Sequence, residues 1–106
     1  MTFARNIITK RDTLCEAITA RRLIEFRYDG MVRVVEPYAV GILTTDNVAL
    51  SAWHVRGFTE SRAIPKWRLY KLDKMGIITI LDEVFEGPRR GYNPRDSRMK
   101  RIYCTF

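Results

Sequence analysis

The sequence predicts a mainly β fold: a small β-barrel with one α-helix at its N-terminus. Three observations carry that expectation. Helical spacing of apolar residues is confined to the stretch before Leu23. From there on, short runs with a period of two alternate with clusters of Gly, Pro, Asp and Asn. An Asp29-Gly30 pair stands between two such runs, and that dipeptide favours the positive φ angles of a two-residue hairpin turn. This many short strands in 106 residues favour a barrel, and the length suits a single domain with a modest core.

Each element has its own signal. Thr9 followed three residues later by Asp12 is a helix N-cap arrangement, and Leu14, Ala17 and Ile18 then share one face, so a helix is expected over 10–22. Asp12 and Glu16 lie early and Arg21 and Arg22 late, the order that complements the helix dipole. Such a helix would cover one opening of the barrel. Next, Ile24, Phe26 and Tyr28 face one way and Glu25, Arg27 and Asp29 the other, the pattern of a half-buried strand. Residues 31–36 should return antiparallel. Pro37 has no N–H for a ladder and marks an edge or bend before 38–43.

Thr44, Thr45, Asp46 and Asn47 supply a turn, residues 48–55 another strand, and Arg56-Gly57 its close. A polar loop with Pro65 is expected over 58–66. Strands follow at 67–72 and 77–85 around a turn at 73–76, so the barrel occupies 23–86. Gly87 to Pro94 is too rich in Gly and Pro for regular structure. A basic C-terminal segment, 87–106, should therefore cross the surface and end in a short strand at 101–106.

Nineteen Lys and Arg against twelve Asp and Glu leave a formal charge of +7, which favours polyanions such as nucleic acid, nucleotides or an acidic protein surface. Much of that excess lies in the C-terminal segment, where Arg89, Arg90, Arg95, Arg98, Lys100 and Arg101 face only Asp96. Cys15 and Cys104 form neither a CxxC pair nor a small-protein disulfide framework, so a reducing cytoplasm is expected. Arg5, Asn6 and Lys10 interrupt the N-terminal apolar residues, which excludes a signal-peptide core. No run approaches the roughly 20 apolar residues that span a bilayer, so no membrane partner is expected.

Taken together these residues resemble the WYL domain, a ligand-binding barrel of the SH3 and Sm-like kind found mostly in bacterial and phage proteins. The family's helix ending in basic residues is matched by 17–22, its first strand pair by 24–35, and its Val-Glu-Pro-Tyr corner by Val35-Glu36-Pro37-Tyr38. A later motif of aromatic, Arg, Leu, Asp, Arg and aliphatic residues is matched in kind by Tyr70, Lys71, Leu72, Asp73, Lys74 and Met75. The name-giving tripeptide is replaced by Val48-Ala49-Leu50, while the aromatic that often follows it is kept as Trp53. The chain is similar to stand-alone members. The resemblance implies recognition of nucleic acid or a nucleotide, passed on to a transcription factor or a nucleic-acid-processing effector.

Arg27, Arg33, Arg56, Lys71 and Lys74 are interleaved along the strands with Tyr28, Tyr38 and Trp53. Cations that hold phosphates beside rings that stack bases are what a single-stranded nucleic-acid surface requires. The same alternation also describes rings inside a barrel and charges outside, which makes Tyr28 and Tyr38 chiefly core. The expected ligand-binding set is Arg33, Arg56, Lys71 and Lys74 for phosphate, with Tyr38, Trp53 and His54 to stack or orient a base. His54 is the single histidine and has no companion for a metal site. No cofactor is expected, and with no GxSxG, HExxH, P-loop or oriented Cys-His pair a non-catalytic role is expected. A second expectation is an interaction module that pairs with itself or an effector through a sheet edge or the basic segment.

Overall fold

A computed structural model describes the backbone of residues 2–57 and 67–106, and the side chains in those ranges from residue 7 onward. The expected loop at 58–66 lies outside the described residues. Chain order is α1 (Thr2–Ala20), β1 (Arg22–Tyr28), β2 (Met31–Leu43), β3 (Val48–Gly57), β4 (Trp67–Lys71), a 3-10 turn (Leu72–Lys74), β5 (Thr79–Val84) and β6 (Met99–Thr105). The fold is mainly β. Its six strands form one antiparallel sheet in the order β4-β3-β2-β1-β5, with β6 added to β2.

The helix begins well before the Thr9 cap. No Gly or Pro interrupts residues 2–9, so a continued helix outcompetes a cap in its interior. It ends where Arg21 takes a left-handed φ of 54° and its N–H donates to the Ile18 carbonyl at 3.1 Å. Arg22 is therefore the first residue of β1 rather than the last of the helix. Leu14, Ala17 and Ile18 are buried against the sheet, as their spacing requires. The hairpin forms at Asp29 (φ 52°) and Gly30 (φ 77°), two positive-φ residues in succession. Its register pairs Tyr28 with Met31, Phe26 with Arg33 and Ile24 with Val35.

β2 is the organising strand. One edge pairs with β3 along most of its length, while the other takes β1 at residues 31–35 and β6 at 39–43. The ladder to β3 shifts between Val34 and Val35 and again between Pro37 and Ala39. Pro37, unable to donate, sits at the second irregularity and bends the strand there without ending it. Side chains on the two faces of this sheet build two cores. One holds Leu14, Ile18, Phe26, Val35, Leu50 and Leu72 beneath α1; the other holds Leu23, Val34, Tyr38 and Phe85, with Trp53, Trp67, Tyr92 and Phe106 packed on it. Each fully buried large apolar side chain contributes about 1.5–3 kcal/mol.

The second core explains the path of the C-terminal segment. Tyr92 stacks on Trp67 with ring centroids 6.0 Å apart, and the Trp67 indole N–H donates to the Arg90 carbonyl at 2.7 Å. The segment crosses the sheet as a strap and then returns as β6.

Two expectations are corrected. Among the described residues the sheet does not close into a barrel: β4 and β5 end the strand path, and the chain between them touches β1 through the Tyr28–Met75 bridge and the Gly76 N–H to the Arg27 carbonyl. Cys15 and Cys104 are also not isolated thiols but a disulfide, with their Cα atoms 5.8 Å apart. A sequence separation of 89 hid the pairing, which follows from α1 packing beside β6. Among the described residues no helix is long and apolar enough to cross a membrane.

Candidate anion-binding site

The hairpin register decides where Arg33 points. Directly opposite residues on neighbouring strands share a face, so Arg33, paired with Phe26, faces the helix-side core. His54 pairs with Val35 on that same face. Arg68 and Tyr70 pair with Ala52 and Leu50, which places both there as well. Gly57 stands opposite Arg33 on β3 at φ +102°, where a Cβ would lie 3.0 Å from the Arg33 Cα. Glycine is the residue that position accepts.

Arg33 is only 6% exposed. Its guanidinium carbon lies 5.6 Å from the centroid of the Tyr28 ring and 6.0 Å from that of Tyr70. The two rings meet edge to face at 5.0 Å, and Phe26 meets Tyr70 in the same way. The Lys71 backbone N–H donates to the Tyr28 hydroxyl at 3.2 Å, which fixes that ring. Arg33 Nη2 donates to the Tyr28 carbonyl at 3.4 Å, a long bond. Its Nε has no hydrogen-bond partner, and the hydroxyl of Tyr70, 1% exposed, has none either. Among the described residues no carboxylate pairs with Arg33.

Burial pushes the Tyr70 phenol above its ordinary pKa, and the nearby charges of Arg33 and Arg68 oppose the rise. Arg33 approaches the hydroxyl closely enough to act on it, but not in the geometry of a hydrogen bond. Removing a guanidinium from water costs several kcal/mol. Two desolvated cation–π contacts return about 2 kcal/mol each. That leaves the unmet Nε and the unmet hydroxyl as the cost an incoming anion would relieve.

The other expected site residues lie elsewhere. Tyr38 is fully buried in the second core, and its hydroxyl donates to Glu36 at 2.9 Å. Trp53 is in the same core with the Arg89 guanidinium 5.2 Å above its ring. Arg56 makes a two-pronged ion pair with Glu83, one arm at 2.9 Å. Lys71 pairs with Ala49 at the end of β4, one residue out of phase with Tyr70, and Lys74 is exposed in the 3-10 turn. Of the seven, Arg33 and His54 lie on the helix-side face of the sheet, which also carries Tyr28, Tyr70 and Arg68. Counting back from the Asp29-Gly30 turn would have found the Arg33–Phe26 pairing, because a two-residue loop fixes the register.

Among the described residues, several of the cations already have a carboxylate partner. Arg11, Arg22, Arg56, Arg89, Arg98 and Lys100 pair with Asp12, Asp82, Glu83, Glu36, Asp96 and Asp46. A groove of about 360 Å³ between α1 and residues 75–78 is a weaker candidate, because its one cation, Lys10, is engaged with the carbonyls of Leu72 at 3.0 Å and Met75 at 2.5 Å. Among the described residues no group of three His, Cys, Asp or Glu could hold a metal. No family model, curated protein or solved structure matches this chain.

Proposed function

We infer that the chain is a non-catalytic ligand-binding domain of the WYL kind, an SH3 or Sm-like barrel left open at one seam. Its ligand carries phosphate, as a nucleotide or single-stranded nucleic acid, and its binding regulates a transcription factor or effector in the cytoplasm. The supporting observation is the buried Arg33 guanidinium between Tyr28 and Tyr70, with Arg33 Nε and the Tyr70 hydroxyl both lacking partners. An oxyanion would accept from both and neutralise the charge.

Anisotropy titration of labelled oligonucleotides and mononucleotides against the wild type, Arg33→Ala and Lys71→Ala tests this reading. Arg33→Ala is expected to weaken binding at least tenfold, about 1.4 kcal/mol, and Lys71→Ala by less. Equal affinities for wild type and Arg33→Ala would remove the site from consideration.

A second reading, partner docking, draws on the free edge of β5, where Val84 is 69% exposed and nearby Ile77 is 90% exposed. Open edges invite strand pairing with another chain or another copy. Light scattering that reports a mass above the monomer, together with no response to nucleotide, would favour it.

A further inference from the structure

We propose that the groove between α1 and residues 75–78 binds a small apolar carboxylate, with its head group on Lys10 and its chain against Met75, Ile77 and Ile78. This is a second site, and it does not depend on the Arg33 reading.

Shape is the first argument. The groove encloses about 360 Å³, within the roughly 300–1,000 Å³ typical of small-molecule sites. One wall is α1, which contributes Thr9, Lys10 and Thr13; the other is the extended stretch that leads from the 3-10 turn into β5. Apolar walls with a few convergent polar groups are the ordinary make-up of a ligand pocket. Ile77, at the rim, is 90% exposed, and a ligand's chain would cover it.

Lys10 decides the head group. An ammonium has three N–H donors. Two are spent on the carbonyls of Leu72 and Met75, bonds that tie α1 to the 3-10 turn and fix the ammonium in place. The third remains. Carbonyl dipoles do not cancel a full charge, and among the described residues no carboxylate pairs with Lys10. One spare donor and one charge are too little for a phosphomonoester, which carries about −1.5 to −2 at pH 7. They suit a carboxylate, which carries a single charge there. No hydrogen bond ties the Thr9 and Thr13 hydroxyls to another described residue, so they are the donors at hand for the second oxygen.

The apolar wall then selects the rest of the molecule. A peptide's C-terminus would bring backbone amides, for which the side chains of Met75, Ile77 and Ile78 offer no partner. A short hydrocarbon chain needs none.

The test uses the whole protein, with butanoate, hexanoate and octanoate as probes, octanamide as the uncharged analogue and a dipeptide with a free C-terminal carboxylate. Binding is followed by NMR of the Thr, Met and Ile methyl groups. Octanoate is expected to shift the methyls of Thr13, Met75, Ile77 and Ile78 saturably. Affinity should rise about twofold per added methylene, less than the roughly fourfold of full burial because the groove is open on one side. Octanamide should bind about fivefold more weakly. Lys10→Met should bring the acid and the amide to equal affinity. Ile77→Asn, at an exposed position, should weaken octanoate about threefold at unchanged Tm, and it decides the matter if Lys10→Met does not fold. Equal binding of octanoate and octanamide by the wild type would overturn the head-group assignment. Saturable shifts confined to other methyls, an absence of saturation, or octanoate binding indifferent to Ile77→Asn would overturn the site. A dipeptide that binds more tightly than octanoate would make the groove a reader of peptide ends and overturn the ligand class.

Discussion

Reducing the Cys15–Cys104 bridge tests how the two ends of the chain are held. The bond joins the C-terminal half of α1 to the penultimate residue of β6 across a sequence separation of 89. Chain-entropy arithmetic for a closed loop of that length gives about 4–5 kcal/mol of stabilisation, nearly all from restricting the unfolded chain. The native contacts do not depend on the bond: Leu14, Ala17 and Ile18 stay buried under α1, and β6 keeps its ladder to β2. Reduction should therefore leave the far-UV circular dichroism unchanged while lowering Tm by roughly 20 °C, since each kcal/mol shifts a domain of this size by about 4–8 °C. The urea m-value should rise, because the unbridged chain exposes more surface on unfolding. Thermal and urea unfolding would be followed with and without reductant, beside the double variant Cys15→Ser, Cys104→Ser, with free thiols counted under each condition. Reduced wild type and double variant should coincide. The reasoning fails if thiol counting shows the bond opened while Tm and m stay where they were.

Further outcomes are expected from the second core and the sheet. Arg89→Ala leaves Glu36, 4% exposed, without its two charged hydrogen bonds at 3.0 and 2.8 Å; urea unfolding should show a loss of about 2 kcal/mol, against at most about 1 kcal/mol for Arg98→Ala at a surface pair. Gly41→Ala would place a methyl against the Arg101 carbonyl and 2.9 Å from Met99 Sδ, so β6 must shift; the same assay should read a loss of about 1–3 kcal/mol. Tyr38 is held well above its ordinary pKa of 10.0 by burial and by its hydrogen bond to Glu36, and Tyr70 is raised by burial. Unfolded tyrosines ionise near pH 10 while these two remain protonated in the fold, so stability should be complete below pH 10 and fall as pH rises above it. Urea midpoints across that range check the slope, and Tyr38→Phe should make it shallower.

The parts of the fold legible in the sequence are those set by local chemistry. Asp29-Gly30 takes two successive positive φ angles, Ile24 and Phe26 alternate onto the core face, and Thr44 to Asn47 turn the chain because Asp46 tolerates a φ of 72°. What stayed hidden depends on contacts remote in sequence. Nothing near Thr9 announces that the helix continues through it. Neither cysteine carries a sign of its partner 89 residues away. The basic run at the C-terminus reads as a segment that crosses the surface, but not what it lies on, until Trp53, Trp67 and Tyr38 are seen to form the surface under Arg89, Tyr92 and Phe106. Arg33 falls between the two: its register was countable, but charge alone suggested an outward side chain.

On the proposed reading, the two faces of β2 divide between architecture and recognition. The corner Val35-Glu36-Pro37-Tyr38 carries much of the WYL resemblance, yet its polar groups serve the fold. Pro37 marks the bend, and Glu36 accepts from both Tyr38 and Arg89, so it anchors the C-terminal strap. A side chain committed in that way cannot release its partners to a ligand without exposing the second core. Arg33 is under no such constraint, because an acceptor at its Nε would add a hydrogen bond and break none that is strong. Substitutions at the corner should therefore lower stability and ligand affinity together, whereas Tyr70→Phe should lower affinity at nearly constant stability. If Glu36→Gln weakened phosphate binding with Tm unchanged, the assignment of recognition to the helix-side face would be wrong.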